Sequence, residues 1–475
     1  MTAPAPPVPA APAGQLVELP LLTHRGAQHT KARETVHGVD GRPLASLSLS
    51  PDLLTAQSLA AQRRAGPPPP AERAAQLAEA ARRFVSDTLG GLTFAEHLDL
   101  VHRVSGHNVP LTEELSRAVA TGIAEAPDRA DQARPRGSVR GWREAAAGPG
   151  SGVWTRRGET LAAVLSGNAP TVQNGWLQAL ALGYRVAVRP SRREPFTAHR
   201  VVAALRAAGF RATDAVCLPS AHGGVAALLH RADLGLVYGG DDVKAAYGPD
   251  PTVLVGGPGR AKTLVTAGHA TAGTVSAVAD AVSVLSGAAC VNTTGVLVEG
   301  DHVAFARALA AELRDRAAGR QTTDRHLGPR LPAASAEALL DRLRGAAARA
   351  GAVIPLAEVA TRHPAGGVVL GPAVFTLDDP ADPLLGAELP FPCAWVAPWT
   401  PADGVRPLRD SLVVNAVTED AELVDALLRE PSVRNVHVDA PTTHSDGGLP
   451  HEDYLGDFLM RNKAVVAGRG SASGS

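Results

Sequence analysis

TLAAVLSGNAPTVQNGWLQALALGYRVAVRPSRREPFTAHRVVAALRAAGF runs from Thr160 to Phe210. Its texture alternates. TLAAVL is a short apolar run, and NAPTVQNGWLQALALG has helical spacing. YRVAVRPS reads as a strand closed by proline, and TAHRVVAALRAAGF as a second helix. The rhythm continues through DAVCLPS (strand), GGVAALLHRA (helix) and LGLVYGG (strand). Strands alternating with helices imply a parallel, doubly wound α/β sheet. Such sheets bind ligands at the loops that leave the carboxyl ends of their strands. A second βα series begins near Thr263 and runs to roughly residue 435, with no internal repeat.

Upstream the chain is different. Residues 1–14 are Pro/Ala-rich and read as a disordered tail. Pro67 to Pro70 read as a polyproline linker, followed by an amphipathic helix, PAERAAQLAEAARRFVSDTLGG, that stops at glycine. A further helix is expected from Leu111 to about Glu125, then a polar, Gly/Pro-rich loop over 127–150. The last residues, 469–475, read as a flexible tail.

At 475 residues the chain is too long for one ordinary core. Apolar residues make up 45% and charged residues 20%, with a net charge of −1. That balance argues against a nucleic-acid binder, which carries a basic excess. No apolar run is long enough to span a membrane, and the N-terminus has no secretory pattern. Three cysteines without close pairing fit a reducing cytoplasm. The sixteen histidines are scattered without metal-ligand spacing, so no metal is expected.

One cysteine stands apart. Cys290 lies in SGAAC, where small neighbours give substrate close access and backbone N–H groups can hold an oxyanion. A free cysteine in an apolar setting is more often a small buried hydrophobe. Cys217, mid-strand, and Cys393, in LPFPCAWV, read that way. Cys290 is singled out by its company at long range. SGNAP (Ser166–Pro170), VAVRPSRREP (Val186–Pro195), LVYGGDD, TVLVGGPGRAKTLV (Thr252–Val265), SGAAC and GAELPFPCAWV occur in this order. Together they resemble the aldehyde dehydrogenase superfamily over nearly the whole chain.

The resemblance implies roles. Cys290 matches the nucleophile that carries a thiohemiacetal or thioacyl group. Asn168 matches the amide that holds the oxyanion with the Cys290 N–H, although an Asn here also suits a turn. Glu388 matches the carboxylate on the nicotinamide ribose. Arg189 and Ser191, together with Gly239, Gly240 and Gly256 in the glycine turns, match cofactor-contacting positions. Where the family carries the glutamate that binds the adenosine ribose, this chain has Arg192. Arginine pairs with a phosphate in bidentate fashion, which points to NADP(H).

A second departure bears on the reaction. The family's general base is the glutamate of Leu-Glu-Leu-Gly-Gly, and here that position is Leu254. Hydrolysis of a thioacyl enzyme needs a base to activate water. Without one the acyl group persists until a thiol exchanges with it. The acylating branches of the superfamily lack the same glutamate. NVHVDAPTTHSDGGLPHEDYLGDF (Asn435–Phe458) resembles the CoA-acylating branch, and SGNAP with SRREPF resembles the acyl-CoA reductases of bioluminescence fatty-acid reductase type. Glu452, Asp453 or His444 would be alternative sources of a base.

These readings give one expectation. The fold is α/β and aldehyde dehydrogenase-like, with a Rossmann-type cofactor domain over 15–255 and an oligomerisation hairpin near 130–158. A catalytic domain follows over 256–435, then a C-terminal oligomerisation arm over 436–468. The expected function is NADPH-dependent reduction of an acyl thioester, CoA- or carrier-bound, to an aldehyde. The alternatives are hydrolytic NAD(P)-dependent oxidation of an aldehyde to an acid, or an inactive structural homologue. An acyl-activating enzyme or carrier protein is the expected partner, with self-association as a homodimer or homotetramer carried over from the resemblance.

Overall fold

The structure, a computed structural model, describes residues 16–146, 152–320 and 326–466. The expected tails at 1–14 and 469–475, and part of the 127–150 loop, lie outside the described residues.

The N-terminal part opens with β1 (Val17–Leu19), β2 (Leu21–Thr23), β3 (Gly26–Gln28), β4 (Arg33–His37) and β5 (Pro43–Ser48). Helices α1 (Asp52–Arg64), α2 (Pro70–Ser86), α3 (Phe94–Ser105) and α4 (Val109–Asp131) follow, then α5 (Trp142–Ala146) and β6 (Gly152–Arg156). The first βα series is β7 (Thr160–Val164), α6 (Asn174–Ala181), β8 (Arg185–Arg189), α7 (Phe196–Ala207), β9 (Ala215–Cys217), α8 (Gly224–Arg231), β10 (Leu234–Tyr238), α9 (Asp241–Tyr247) and β11 (Val253–Gly256).

These strands assemble in the order β11-β10-β7-β8-β9-β2-β3. The five central strands are parallel. β7 and β8 are buried at every position, as a sheet covered on both faces requires. The chain leaves β7 in one direction for β8 and β9, and later returns on its other side with β10 and β11. The strand order therefore reverses between β7 and β10, and a crevice opens at their carboxyl ends. The antiparallel pair β2–β3 extends the far edge. No sequence signal marked it.

The second series begins with β12 (Lys262–Val265), α10 (Ala272–Ser283), β13 (Gly295–Val298), α11 (His302–Gly319), β14 (Arg330–Leu331), α12 (Ala333–Ala347) and β15 (Gly351–Ala352). It continues through β16 (Ala360–Arg362), β17 (Val368–Leu370), β18 (Ala373–Thr376), β19 (Cys393–Pro398), β20 (Ser411–Val417), α13 (Ala421–Arg429) and β21 (Val433–Val438). The sheet order is β15-β18-β19-β13-β12-β20-β21, parallel apart from β15 at the edge. Its core is built on Leu264, Val296, Phe375, Trp395 and Val414, all at 1% exposure or less. The ring of Phe375 stacks on Trp395 at 4.7 Å.

The chain ends with α14 (Leu455–Leu459) and β22 (Met460–Ala464). β22 pairs antiparallel with β6, making a two-stranded ribbon outside both main sheets. The 127–150 region is less of a loop than its composition suggests. α4 continues through Pro127 to Asp131, and α5 follows. The proline is tolerated because α4 is anchored along its length, with Val119, Ile123 and Ala126 fully buried. Among the described residues, no helix is long and apolar enough to cross a membrane.

Candidate active site

The two sheets meet end to end. β12, β13, β19 and β20 all begin side by side, and the loops entering them carry Gly259–Arg260, Cys290 and Glu388. These loops face the crevice formed at the carboxyl ends of β7, β10 and β11. The connection from β11 to β12 spans only a few residues, so it holds the two levels in close register.

Cys290 sits in a tightly constrained turn. Leu285, Ser286 and Gly287 have φ of 55°, 58° and 65° in succession. A non-glycine residue there costs on the order of 1 kcal/mol. Gly287 is required twice over, because a Cβ would also overlap the Phe391–Pro392 backbone. Asn292 offsets the strain. Its Oδ1 accepts from the Ala289 N–H at 2.8 Å, and its Nδ2 donates to the carbonyls of Ala281 and Val284 at 2.9 and 2.8 Å. Nothing in the sequence pointed to Asn292. Asn292→Ala removes the side-chain partner of the Ala289 N–H and of the Val284 carbonyl, while the Ala281 carbonyl keeps the Thr293 N–H, and should cost about 1–3 kcal/mol. The expected readout is a lowered Tm with a parallel loss of Cys290 reactivity.

The Cys290 turn is also pinned from below. A Cβ at Gly259 would overlap the Cys290 carbonyl, so only glycine permits this approach. Cys290 and Val291 pack on Ala261, Leu412 and Val413. Cys290 itself is half-buried, whereas Cys217 and Cys393 are enclosed in β9 and β19. Desolvation, with Glu388 and Glu452 nearby, pushes the Cys290 thiol up to about 12. The backbone N–H groups of Cys290 and Val291 pull the other way.

Asn168 leaves the end of β7 and reaches this turn. Its Nδ2 donates to the carbonyl of Ala288 at 3.3 Å. Ser166 Oγ donates to Asn168 Oδ1 at 2.6 Å, which orients the amide with its N–H₂ toward the loop that carries Cys290. The buried ring of His107 donates from Nε2 to the Asn168 carbonyl at 2.9 Å. His107 was also missed in the sequence, where it is one scattered histidine.

Glu388 Oε2 accepts from the N–H groups of Gly259 and Arg260 at 2.7 and 3.0 Å. Burial raises its pKa from the usual carboxylate value. Leu254, where the resemblance expects a glutamate, packs its side chain against the apolar layer beside the first sheet.

The C-terminal segment closes the site. Thr442 is fully buried and bonds Thr293 through its hydroxyl at 2.9 Å. Asn435 Nδ2 donates to the carbonyls of Leu412 and His451. These anchors set His451 Nε2 at 3.3 Å from Cys290 Sγ. Beside it, the Glu452 carboxylate accepts from the Gly257 N–H, and burial raises its pKa. Of the three alternative bases, Glu452 alone is placed here. His444 packs edge-on against His437, and Asp453 faces Arg434 at 3.8 Å.

The expected cofactor residues divide. Arg189 is buried and spends its donors on Ser220, from Nε at 3.1 Å and Nη2 at 2.9 Å. Ser191 Oγ accepts from the Arg193 N–H and lies against Gly167. Arg192 is paired with Glu34 of β4 at 2.9 Å. Gly239 donates its N–H to the Gly256 carbonyl, closing the crevice wall, and neither has room for a Cβ beside Val243 and Tyr238. Gly240 precedes α9, whose Asp241 is neutralised by Arg260 at 2.6 and 2.7 Å. Among the described residues, no group of three His, Cys, Asp or Glu side chains is placed to hold a metal ion.

Residues 160–403 match the model of the aldehyde dehydrogenase family. No curated protein sequence matches the chain. Solved structures do. The γ-glutamyl-γ-aminobutyraldehyde dehydrogenase of Burkholderia cenocepacia is 19% identical with a TM-score of 0.78, covering 95% of this chain and 96% of its own. The aldehyde dehydrogenase KauB of Pseudomonas aeruginosa is 17% identical, with a TM-score of 0.78 and coverage of 95% and 97%. An indole-3-acetaldehyde dehydrogenase complexed with NAD+ is 17% identical, with a TM-score of 0.76 and coverage of 94% and 96%.

Proposed function

The chain belongs to the aldehyde dehydrogenase family, and from that premise we propose that it interconverts an acyl thioester and an aldehyde, with Cys290 carrying the acyl group and NADP(H) as redox partner. Leu254 is the observation that supports this reading. The strand wall offers an apolar side chain where the family's water-activating carboxylate belongs. An acyl group on Cys290 is then left for a thiol to remove.

The residues at the crevice fit a nicotinamide dinucleotide. The crevice lies at the reversal of strand order. Glu388 is fixed through Oε2, and its Oε1 would accept from the nicotinamide ribose hydroxyls. Arg192, at the end of β8, would meet an adenosine 2′-phosphate. Bound there, the cofactor supplies or accepts the hydride.

In the reductive direction the Cys290 sulfur adds to the thioester carbonyl carbon. The π electrons move to oxygen, where Asn168 Nδ2 and the Cys290 N–H hold the charge. Collapse expels the leaving thiol and leaves the acyl group on Cys290. After hydride arrives, the thiohemiacetal collapses, the C–S bond breaks and the aldehyde departs. The net change is thioester + NADPH + H⁺ → aldehyde + NADP⁺ + thiol.

Arg192 carries the cofactor preference in this reading. Its charge is held by Glu34, so phosphate must compete with that carboxylate. Arg192→Ala should raise the KM for NADPH about tenfold or more and leave that for NADH nearly unchanged. Glu34→Gln should lower the KM for NADPH. Steady-state kinetics with both cofactors check both results.

A second reading rests on Glu452. Its carboxylate reaches Gly257, three residues beyond Leu254, and would activate water for hydrolysis of the acyl enzyme. One assay separates the two. NADPH oxidation with a panel of acyl-CoAs, aldehyde appearing, supports thioester reduction. NADP⁺ reduction by free aldehydes without added thiol, acid appearing, supports the hydrolytic reading.

A further inference from the structure

We propose that His451, delivered by the C-terminal segment, is the proton-transfer group of the Cys290 thiol. The inference rests on the reading of Cys290 as the acyl carrier and adds a residue in contact with the sulfur that no sequence motif marked.

Three observations carry it. The first is contact: Nε2 lies 3.3 Å from Sγ, within hydrogen-bond range for sulfur. The second is positioning. The His451 backbone carbonyl is held by Asn435 Nδ2, which also binds Leu412 beneath the nucleophile. The segment itself is pinned by Thr442 on Thr293, three residues after Cys290. His451 is thus fixed to the same frame as the sulfur, although 161 residues separate them in the chain. The third is need. The thiol is held strongly protonated by its surroundings, so it is a poor nucleophile until a base takes the proton.

His451 suits that role. Part of its surface is exposed, and desolvation of the ring by the surrounding protein lowers its pKa from the ordinary value. It is therefore neutral at pH 7 and able to accept. The titratable groups facing the thiol are His451 and Glu452 from the C-terminal segment, Glu388 from the loop before β19, and Tyr238 from β10. Arg434, Lys244 and Asp453 face Glu452 in turn. Glu388 and Glu452 oppose the thiolate by repulsion, and Tyr238 is buried with its pKa raised, so the neutral imidazole is the acceptor in contact.

The S–H bond breaks and an N–H bond forms on Nε2. The thiolate then adds to the carbonyl carbon of the substrate. When the leaving thiolate departs, it takes that proton from the imidazolium. After aldehyde release the Cys290 thiolate is reprotonated from solvent, through the same ring.

The test follows the alkylation rate of Cys290 by iodoacetamide between pH 6.5 and 8, on the full chain, with site identity from peptide mapping. A thiol–imidazole pair keeps one proton between its two members across this range, so its thiolate–imidazolium fraction is constant. The wild-type rate should be flat. In His451→Gln the rate should fall at least tenfold at pH 7 and climb about tenfold per pH unit. A wild-type rate that already climbs tenfold per unit, or a variant that reproduces the flat profile, overturns the proposal. The wild-type profile decides the matter even if the variant does not fold. Added imidazole should restore part of the rate in His451→Ala. Because alkylation needs no thioester or cofactor, a flat wild-type profile combined with no thioester turnover would retain His451 and reject the thioester reading.

Discussion

Cys290→Ala should abolish turnover, by on the order of 10⁴-fold or more, while leaving the fold and cofactor binding intact. The size follows from covalent catalysis. Without sulfur there is no acyl carrier, and every later step loses its substrate. The fold should survive because the side chain is small and half-buried, resting on Ala261, Leu412 and Val413 rather than filling a core. The constrained geometry of the turn comes from Leu285–Gly287 and Asn292, none of which the substitution touches. Cys217→Ala and Cys393→Ala should do the reverse, keeping turnover while costing stability, since both side chains are packed in strands. Activity with NADPH, nucleotide binding by fluorescence and thermal melting on the three variants check the pattern.

Asn168→Ala should lower kcat by about 10²–10³-fold with little change in KM. Removing one preorganised oxyanion donor has that typical effect. The geometry here favours the upper part of the range. Asn168 is oriented twice over, by Ser166 on its amide oxygen and by His107 on its backbone carbonyl. A donor that is already aimed needs no reorganisation when charge develops. Asn168→Asp should be at least as damaging, because the donor becomes a charge facing the oxyanion. Ser166→Ala should cost much less, since it frees the amide to rotate without removing it. The kcat values of the three variants, with KM alongside, test the ordering.

The alternation of strands and helices from Thr160 to Tyr238 was legible because parallel strands buried on both faces leave unbroken apolar runs, such as TLAAV and RVAVR. The short N-terminal strands were not. VEL, LLT and GAQ are three residues each; LLT pairs with β9 at Cys217, VEL with β5, and GAQ only with LLT in a hairpin. Cys290 and Asn168 were legible as members of ordered motifs. Arg189 was read as a cofactor residue because the motif position says so, yet its burial directs its guanidinium to Ser220. His451 had no local mark at all. Its place beside the sulfur depends on Thr442, Asn435 and the register of β21 on β20, which are long-range facts. The signal available was its position within the segment that resembles the CoA-acylating branch.

Pro127 shows the opposite failure. A proline reads as a helix stop because it removes a donor and clashes with the preceding turn. In α4 the buried face on either side outweighs that cost, and the helix runs on to Asp131.

Cys290 is expected to hold an acyl group which water does not remove. The most direct measurement is the mass of the protein after mixing with an acyl-CoA and no cofactor, followed over hours, with the modified peptide located. The account predicts a single acyl adduct on Cys290 that persists in buffer and disappears when CoA is added back. An adduct lost to water within seconds as free acid, or no adduct on Cys290 at all, would contradict it.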